Sequence, residues 1–253
     1  LTKNHLRKIT QNYVNEIMTC APGVTILPKN ETEVQDQKAA ELHQSVWADI
    51  KDRQELDEKV PLWADDFVSL GEVAVKVLWN PTEGAVIGYN PMTGPDGGPV
   101  VDQMGQPVPD ESAPVYSGQI EYERIFGFNL LRSPQAKSMQ ESPYLIVRKM
   151  VEIEDLKAQF PDQANKLDEG GPDTYTVFNG ANGTYSNTKG QTMLREFYFK
   201  PSTNYPKGFF FLTTGNAKLA EGELPEGIFP IVYEQMDEIK TSARGRSVIK
   251  QLR

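Results

Sequence analysis

The hydrophobic pattern changes period at a single glycine. Leu62, Phe67 and Leu70 recur at helical spacing, whereas Val73, Val75, Val77 and Trp79 alternate with Ala74, Lys76 and Leu78. A period of roughly 3.6 residues thus gives way to one of two. Gly71 stands at the change, where a residue without Cβ can take the left-handed conformation that ends a helix. The pattern predicts a helix started by Pro61 that delivers a strand over residues 73–79, with Val73, Val75, Val77 and Trp79 as core scaffold rather than ligand site. Upstream, Leu6, Ile9, Tyr13, Ile17 and Cys20 mark one face of a helix over residues 2–20, closed by Pro22 and Gly23. A polar helix over residues 33–59 follows, N-capped by Asn30 or Thr32. Its stripe is Leu42, Val46, Ile50 and Leu56, and carboxylates cover the rest, as on a solvated amphipathic helix rather than a metal-binding face.

Residues 81–114 hold seven prolines and six glycines, a density that predicts an exposed insertion without regular structure except a small hairpin near residues 100–107. Alternation resumes over residues 118–126, expected to pair antiparallel with 73–79, and residues 128–132 end that arm. Residues 144–150 read as a strand before a short helix over 153–160 closed by Pro161. Residues 166–189 read as a loop or loose hairpin, strand-like only at 175–178. Residues 193–200 and 209–213 form a hairpin around 201–208, and shorter strands fall at 218–220 and 231–234. Phe209, Phe210 and Phe211 require a buried strand or a covering subunit. A last helix begins near Ser242. The expected class is α+β, with N-terminal helices packed on mixed or antiparallel sheets joined by long loops. Its parts are a helical 1–71, a β-rich 72–240 carrying the insertion at 81–114, and the start of a helix at 241–253.

Composition changes this picture little: 38% apolar and 24% charged residues among 253 are ordinary for a globular chain. No run reaches the roughly 20 apolar residues of a membrane span, and the N-terminus has no signal-peptide pattern. Starting at Leu1 and stopping at Arg253 inside an expected helix, the chain reads as a portion of something longer. Charge changes more. A net −9 argues against generic nucleic-acid binding, yet Lys240, Arg244, Arg246, Lys250 and Arg253 put five cations in the last fourteen residues. That cluster suits phosphate contact as well as it suits the plainer reading, a solvated helix start or intersubunit salt bridges.

Catalytic chemistry finds no constellation. Cys20 lies on the expected apolar face and reads as a small buried hydrophobe, and it excludes an internal disulfide or cysteine-clustered zinc. His5 and His43 fall in no ligand spacing, and the GPDGG of residues 94–98 lacks the Lys and Ser or Thr of a phosphate loop. Asp65 with Asp66 point to different faces, and Glu121 with Glu123 give no acid/base pair at the separation hydrolysis needs, which leaves a hydrolase remote. No enzymatic activity, metal or cofactor is expected.

Several stretches, in order, resemble the portal proteins of tailed bacteriophages. They are the opening helix leading to APGVTILP at 21–28, DDFVSLGEVAVKVLWNP at 65–81, and RIFGFNLLRSPQAKSMQESPYLIVRKMVEIEDLKAQFP at 124–161. REFYFKPSTNYPKG at 195–208 and FPIVYEQMDEIKTSARGRSVIKQL at 229–252 complete the set, while 81–114 has no counterpart. The resemblance implies a non-enzymatic head-to-tail connector, a homo-oligomeric ring, typically a dodecamer, at the unique capsid vertex of the virion. Double-stranded DNA is packaged and ejected through its channel, and terminase, a head-completion or tail adaptor and the major capsid protein attach to it. Residues 1–240 would be wing, and the helix near Ser242 would enter the stem. Lys240, Arg244, Arg246, Lys250 and Arg253 would then lie near the channel or between subunits. The runner-up from the residues themselves is a carbohydrate-binding or adhesion β module with helical decoration, using Trp63, Trp79 and tyrosines as stacking platforms.

Overall fold

The computed structural model describes residues 5–20, 23–94, 97–167, 190–239 and 242–251, and the fold is α+β. Three helices come first, α1 (His5–Thr19), α2 (Val34–Arg53) and α3 (Leu56–Leu70), and β1 (Glu72–Asn80) follows directly. Contacts divide the chain into two compact units that interleave along the sequence. One comprises residues 1–22, 58–76 and 124–253, the other 23–57 and 77–123.

In the first unit, α1 buries Thr10 and Val14, not the face expected: Leu6 and Tyr13 stay 46% and 42% exposed. Val14 meets Ala64 and Val68 of α3, with Ile9, Ile17 and Met18 alongside, which fixes the rotation of α1. Thr10 is tolerated inside because its hydroxyl donates to the carbonyls of Leu6 and Arg7. Cys20 is exposed, not buried, because the helix has already ended at Thr19.

Five antiparallel strands, β5 (Leu130–Arg132), β6 (Tyr144–Glu152), β7 (Gln191–Phe199), β8 (Phe209–Thr213) and β9 (Lys218–Gly222), pair in chain order as a meander. The strands expected at 144–150, 193–200, 209–213 and 218–220 are all present. Residues 128–132, expected to end the preceding arm, instead supply an edge strand. α4 (Ile153–Gln159) covers part of the sheet through Ile153 and Leu156 against Leu194 and Leu219. Phe197 lies opposite Phe211 with ring centroids 4.4 Å apart, and Phe209 and Phe199 extend that stack. Phe210 points to the other face and packs on the core, so the triplet is divided between two layers.

A three-stranded sheet has the order β10 (Ile231–Gln235), β1, β4 (Gln119–Ile125), so the expected β1–β4 neighbours do adjoin. Ala74, Ile125 and Tyr233 from it join Leu130, Leu145, Val147 and Tyr198 from the meander in one core. The expected core face of β1 is overturned at its end. Val75 is buried as expected, but Trp79 is 61% exposed, Val73 and Val77 are half-buried, and Glu72, Ala74 and Lys76 on the opposite face are nearly inaccessible. Glu196 of the meander partners Lys76, and Tyr233 and Arg244 partner Glu72, so the face carrying two charges turns inward.

In the second unit, α2 leaves Leu42 and Val46 of its expected stripe exposed and buries Ala40, while Ile50 is half-buried and Leu56, beyond the end of α2, is buried. The single helix expected over 33–59 breaks at Glu55, whose φ is 50°, and Pro61 sits inside α3 rather than at its start. Pro61 is the sixth residue of α3, so its missing N–H falls in the second turn, where a helical bond to the residue 57 carbonyl would otherwise form. Neither Asn30 nor Thr32 is the cap. Glu33 holds that place, and the Asn30 side chain accepts from Thr32 in an Asx turn.

The insertion has more structure than its composition suggests, a correction with a simple cause. β2 (Val86–Pro91) and β3 (Pro109–Tyr116) form an antiparallel ribbon extended by bridges Thr93–Pro99 and Val101–Pro107, the latter being the expected small hairpin. A two-stranded ribbon leaves every other N–H pointing outward, where proline removes nothing. Pro91, Pro99 and Pro107 recur every eight residues, each followed by Met92, Val100 or Val108. Those three residues close a ring: Met92 N–H donates to Val108, Val108 to Val100 and Val100 to Met92, each at 2.8 Å. Matching turns join the segments, Gly94 to Gly98 and Asp102 to Gln106. The residues expected to be strand-like at 175–178 lie outside the described set.

Candidate functional site

The helix-to-strand joint at Gly71 is where the C-terminal segment docks. The chain there passes through β11 (Glu238–Ile239) and β12 (Ser242–Gly245) to α5 (Val248–Gln251), so the last helix starts later than expected, a short strand occupying 242–245. Gly71 has φ 84°, and a Cβ on it would lie 2.4 Å from the Ser247 nitrogen; a Cβ on Gly245 would lie 1.8 Å from the Gly71 carbonyl oxygen. That carbonyl accepts from Met236 N–H at 2.9 Å, and Val248 is buried against Val14, Ala64 and Val68.

Next to the joint, Glu72 accepts from Arg244 Nη1 at 2.5 Å and from the Tyr233 hydroxyl at 2.8 Å. The Arg244 guanidinium lies 5.2 Å from the Phe128 ring centroid, with Nη2 3.5 Å from the Leu130 carbonyl. Gly127 makes this possible, since a Cβ there would stand 2.1 Å from Glu72 Oε1. Burial, and then the Glu72 carboxylate, push the Tyr233 hydroxyl well above its ordinary value, so it remains a hydrogen-bond donor through neutral pH.

Of the five C-terminal cations, Arg244 is thus engaged within its own subunit. Arg246 is exposed and its backbone N–H donates to Asp237; Lys250 lies in α5; Lys240 and Arg253 fall outside the described residues. Glu72, Tyr233, Gly127 and Phe128 were not anticipated as partners, being more than a hundred residues from Arg244 or spread over other elements.

A second charged cluster lies under β1. Lys76 Nζ donates to Glu196 Oε2, both side chains at most 5% exposed, the Tyr198 hydroxyl donates to the same oxygen at 2.8 Å, and Lys149 stands 3.6 Å from Oε1. Burial alone would raise the Glu196 carboxyl, but Lys76, Lys149 and Tyr198 hold it below its ordinary 4.5. Arg124 likewise grips Asp66 of α3 with two nitrogens, which raises the arginine further. These contacts fasten separate elements together, Lys76 of β1 to Glu196 of β7 and Arg124 of β4 to Asp66 of α3.

Two clefts lie among the described residues, the second of them beside β10. One, about 590 Å³, is lined by Pro201, Pro206, Pro225 and Lys207. The other, about 290 Å³, is lined by Met139, Leu145, Phe229, Ile231 and Tyr233, with the Lys200 ammonium 5.5 Å from the Phe229 ring centroid. Among the described residues, no helix is long and apolar enough to cross a membrane, and no three His, Cys, Asp or Glu gather to hold a metal ion. Against models of known protein families the chain matches none. No curated protein matches it either.

Proposed function

We propose that the chain is the wing of a portal subunit, a non-enzymatic connector that assembles as a ring at a capsid vertex. Double-stranded DNA passes through that ring, and terminase, adaptor and capsid proteins bind it. The observation that carries this reading is the way the C-terminal segment leaves the body. α5 starts with Val248 wedged between α1 and α3, and Arg244 is pinned to Glu72, so a helix entering a stem would be held rigidly by the scaffold. With Arg244 occupied, Arg246 and Lys250 are the cations proposed to face the channel or a neighbouring subunit. A net acidic subunit fits this role, because a conduit must grip phosphate weakly enough for DNA to slide.

Electron microscopy of the purified full-length protein tests the reading: rings with an axial channel are expected, and uniformly small compact particles would refute it. One observation favours the adhesion alternative. Trp79 is 61% exposed, its ring lying so close to Gly118 that a Cβ there would come within 2.2 Å. Isothermal titration with oligosaccharides separates the two: saturable heat lost in Trp79→Ala supports the module, and its absence supports the portal.

A further inference from the structure

Unit by unit, charge and apolar exposure are uneven. Residues 23–57 and 77–123 carry 15 carboxylates against 4 lysines and arginines, a net −11; the rest of the chain carries 20 against 22, a net +2. Within 77–123 there are seven carboxylates and no lysine, arginine or histidine. The same stretch exposes Trp79, Val86, Ile87, Tyr89, Val101 and Met104, more apolar surface than an isolated ribbon can cover by itself.

Its tip is the sharpest feature. Met104 is 87% exposed, the most accessible large hydrophobic among the described residues. It is held in place, because Asp102 Oδ1 accepts from the N–H groups of Met104 and Gln106 at 2.8 and 2.9 Å. The Asp102 carbonyl accepts from Gly105, and the ring of Met92, Val100 and Val108 braces the base. A tip this ordered loses little freedom when it docks. Methionine is the side chain that best fills irregular apolar holes.

We propose that this tip inserts into the β10 cleft of a second copy of the chain. The cleft of about 290 Å³ supplies an apolar floor from Leu145, Phe229 and Ile231, and Lys200, whose ammonium donates to the Gln140 carbonyl within the cleft, supplies the charge opposite to Asp102. Ile228, 65% exposed, lines the same cleft and would be covered by the ribbon's apolar side chains. Tip and cleft are different patches, so the contact is head-to-tail and propagates around a ring. The proposal rests on the ring reading and assigns one of its interfaces.

Disulfide trapping in the full-length protein tests it. With Cys20→Ser as background, Met104→Cys combined with Ile228→Cys should give, on mild oxidation, a ladder of covalent oligomers, and neither cysteine alone should. In parallel, Met104→Glu, an exposed change that leaves the circular dichroism intact, should lower the assembled fraction by about tenfold or more in sedimentation. An intramolecular disulfide, no ladder, or undiminished rings in Met104→Glu would overturn the tip–cleft contact and leave the ring reading standing. A monomeric unaltered protein would overturn both.

Discussion

Lys76 and Glu196 neutralise each other where β1 crosses the meander, with Tyr198 and Lys149 completing the carboxylate's partners. Removing one member strands the other in a low-dielectric interior, which costs about 3–5 kcal/mol, whereas an apolar pair of similar volume is far milder. Lys76→Met should therefore lower the midpoint of thermal unfolding much more than Lys76→Met combined with Glu196→Leu. Because the folded state holds Glu196 below its ordinary 4.5, the unfolded chain binds the proton more readily. Stability from this group is complete above that value and disappears as pH falls through the lower folded value. Denaturant titrations between neutral pH and pH 3 should show this acid loss, and Lys76→Met with Glu196→Leu should flatten it. Part of this could be read from the residues alone: a lysine among alternating valines either faces water or has a buried partner. Which one, 120 residues away in sequence, is set by the register of two strands in different sheets, and no local period encodes that.

At the scale of elements, the joint at Gly71 acts as a latch for β12 and α5. Gly71→Ala would need both a left-handed backbone and space already filled by Ser247, so it should destabilise strongly and loosen the C-terminal segment, seen as faster amide exchange over residues 242–251. Arg244→Ala should cost about 2 kcal/mol by leaving Glu72 buried without its cation, while Arg246→Ala, exposed, should stay within about 0.5 kcal/mol. Comparing the two chemical-denaturation midpoints checks the assignment of Arg244 as a fastener. The change of period at Gly71, four of the five meander strands and α4 were visible in the sequence because their apolar patterns are local and strong. Helix faces fared worse, since α1 is rotated by contacts with α3 and α5 that its own pattern does not record. The ribbon was hidden by its prolines, although Pro91, Pro99 and Pro107 at equal spacing were the available signal.

The whole molecule joins a nearly balanced body to an acidic, apolar-surfaced second unit, and that imbalance favours partners over solitude. Of the candidate site, the cations were legible but their roles were not, because Arg244 and Arg246 differ only in what the fold brings beside them. Assembly should weaken as salt screens the contact between acidic tip and Lys200, so raising ionic strength from about 0.05 to 0.5 M should shift sedimentation toward smaller species. The central claim, that this chain belongs to a ring, is tested most directly by the native mass of the full-length protein at micromolar concentration. The account predicts one closed assembly of about twelve subunit masses. A stable monomer or dimer across that range would contradict it.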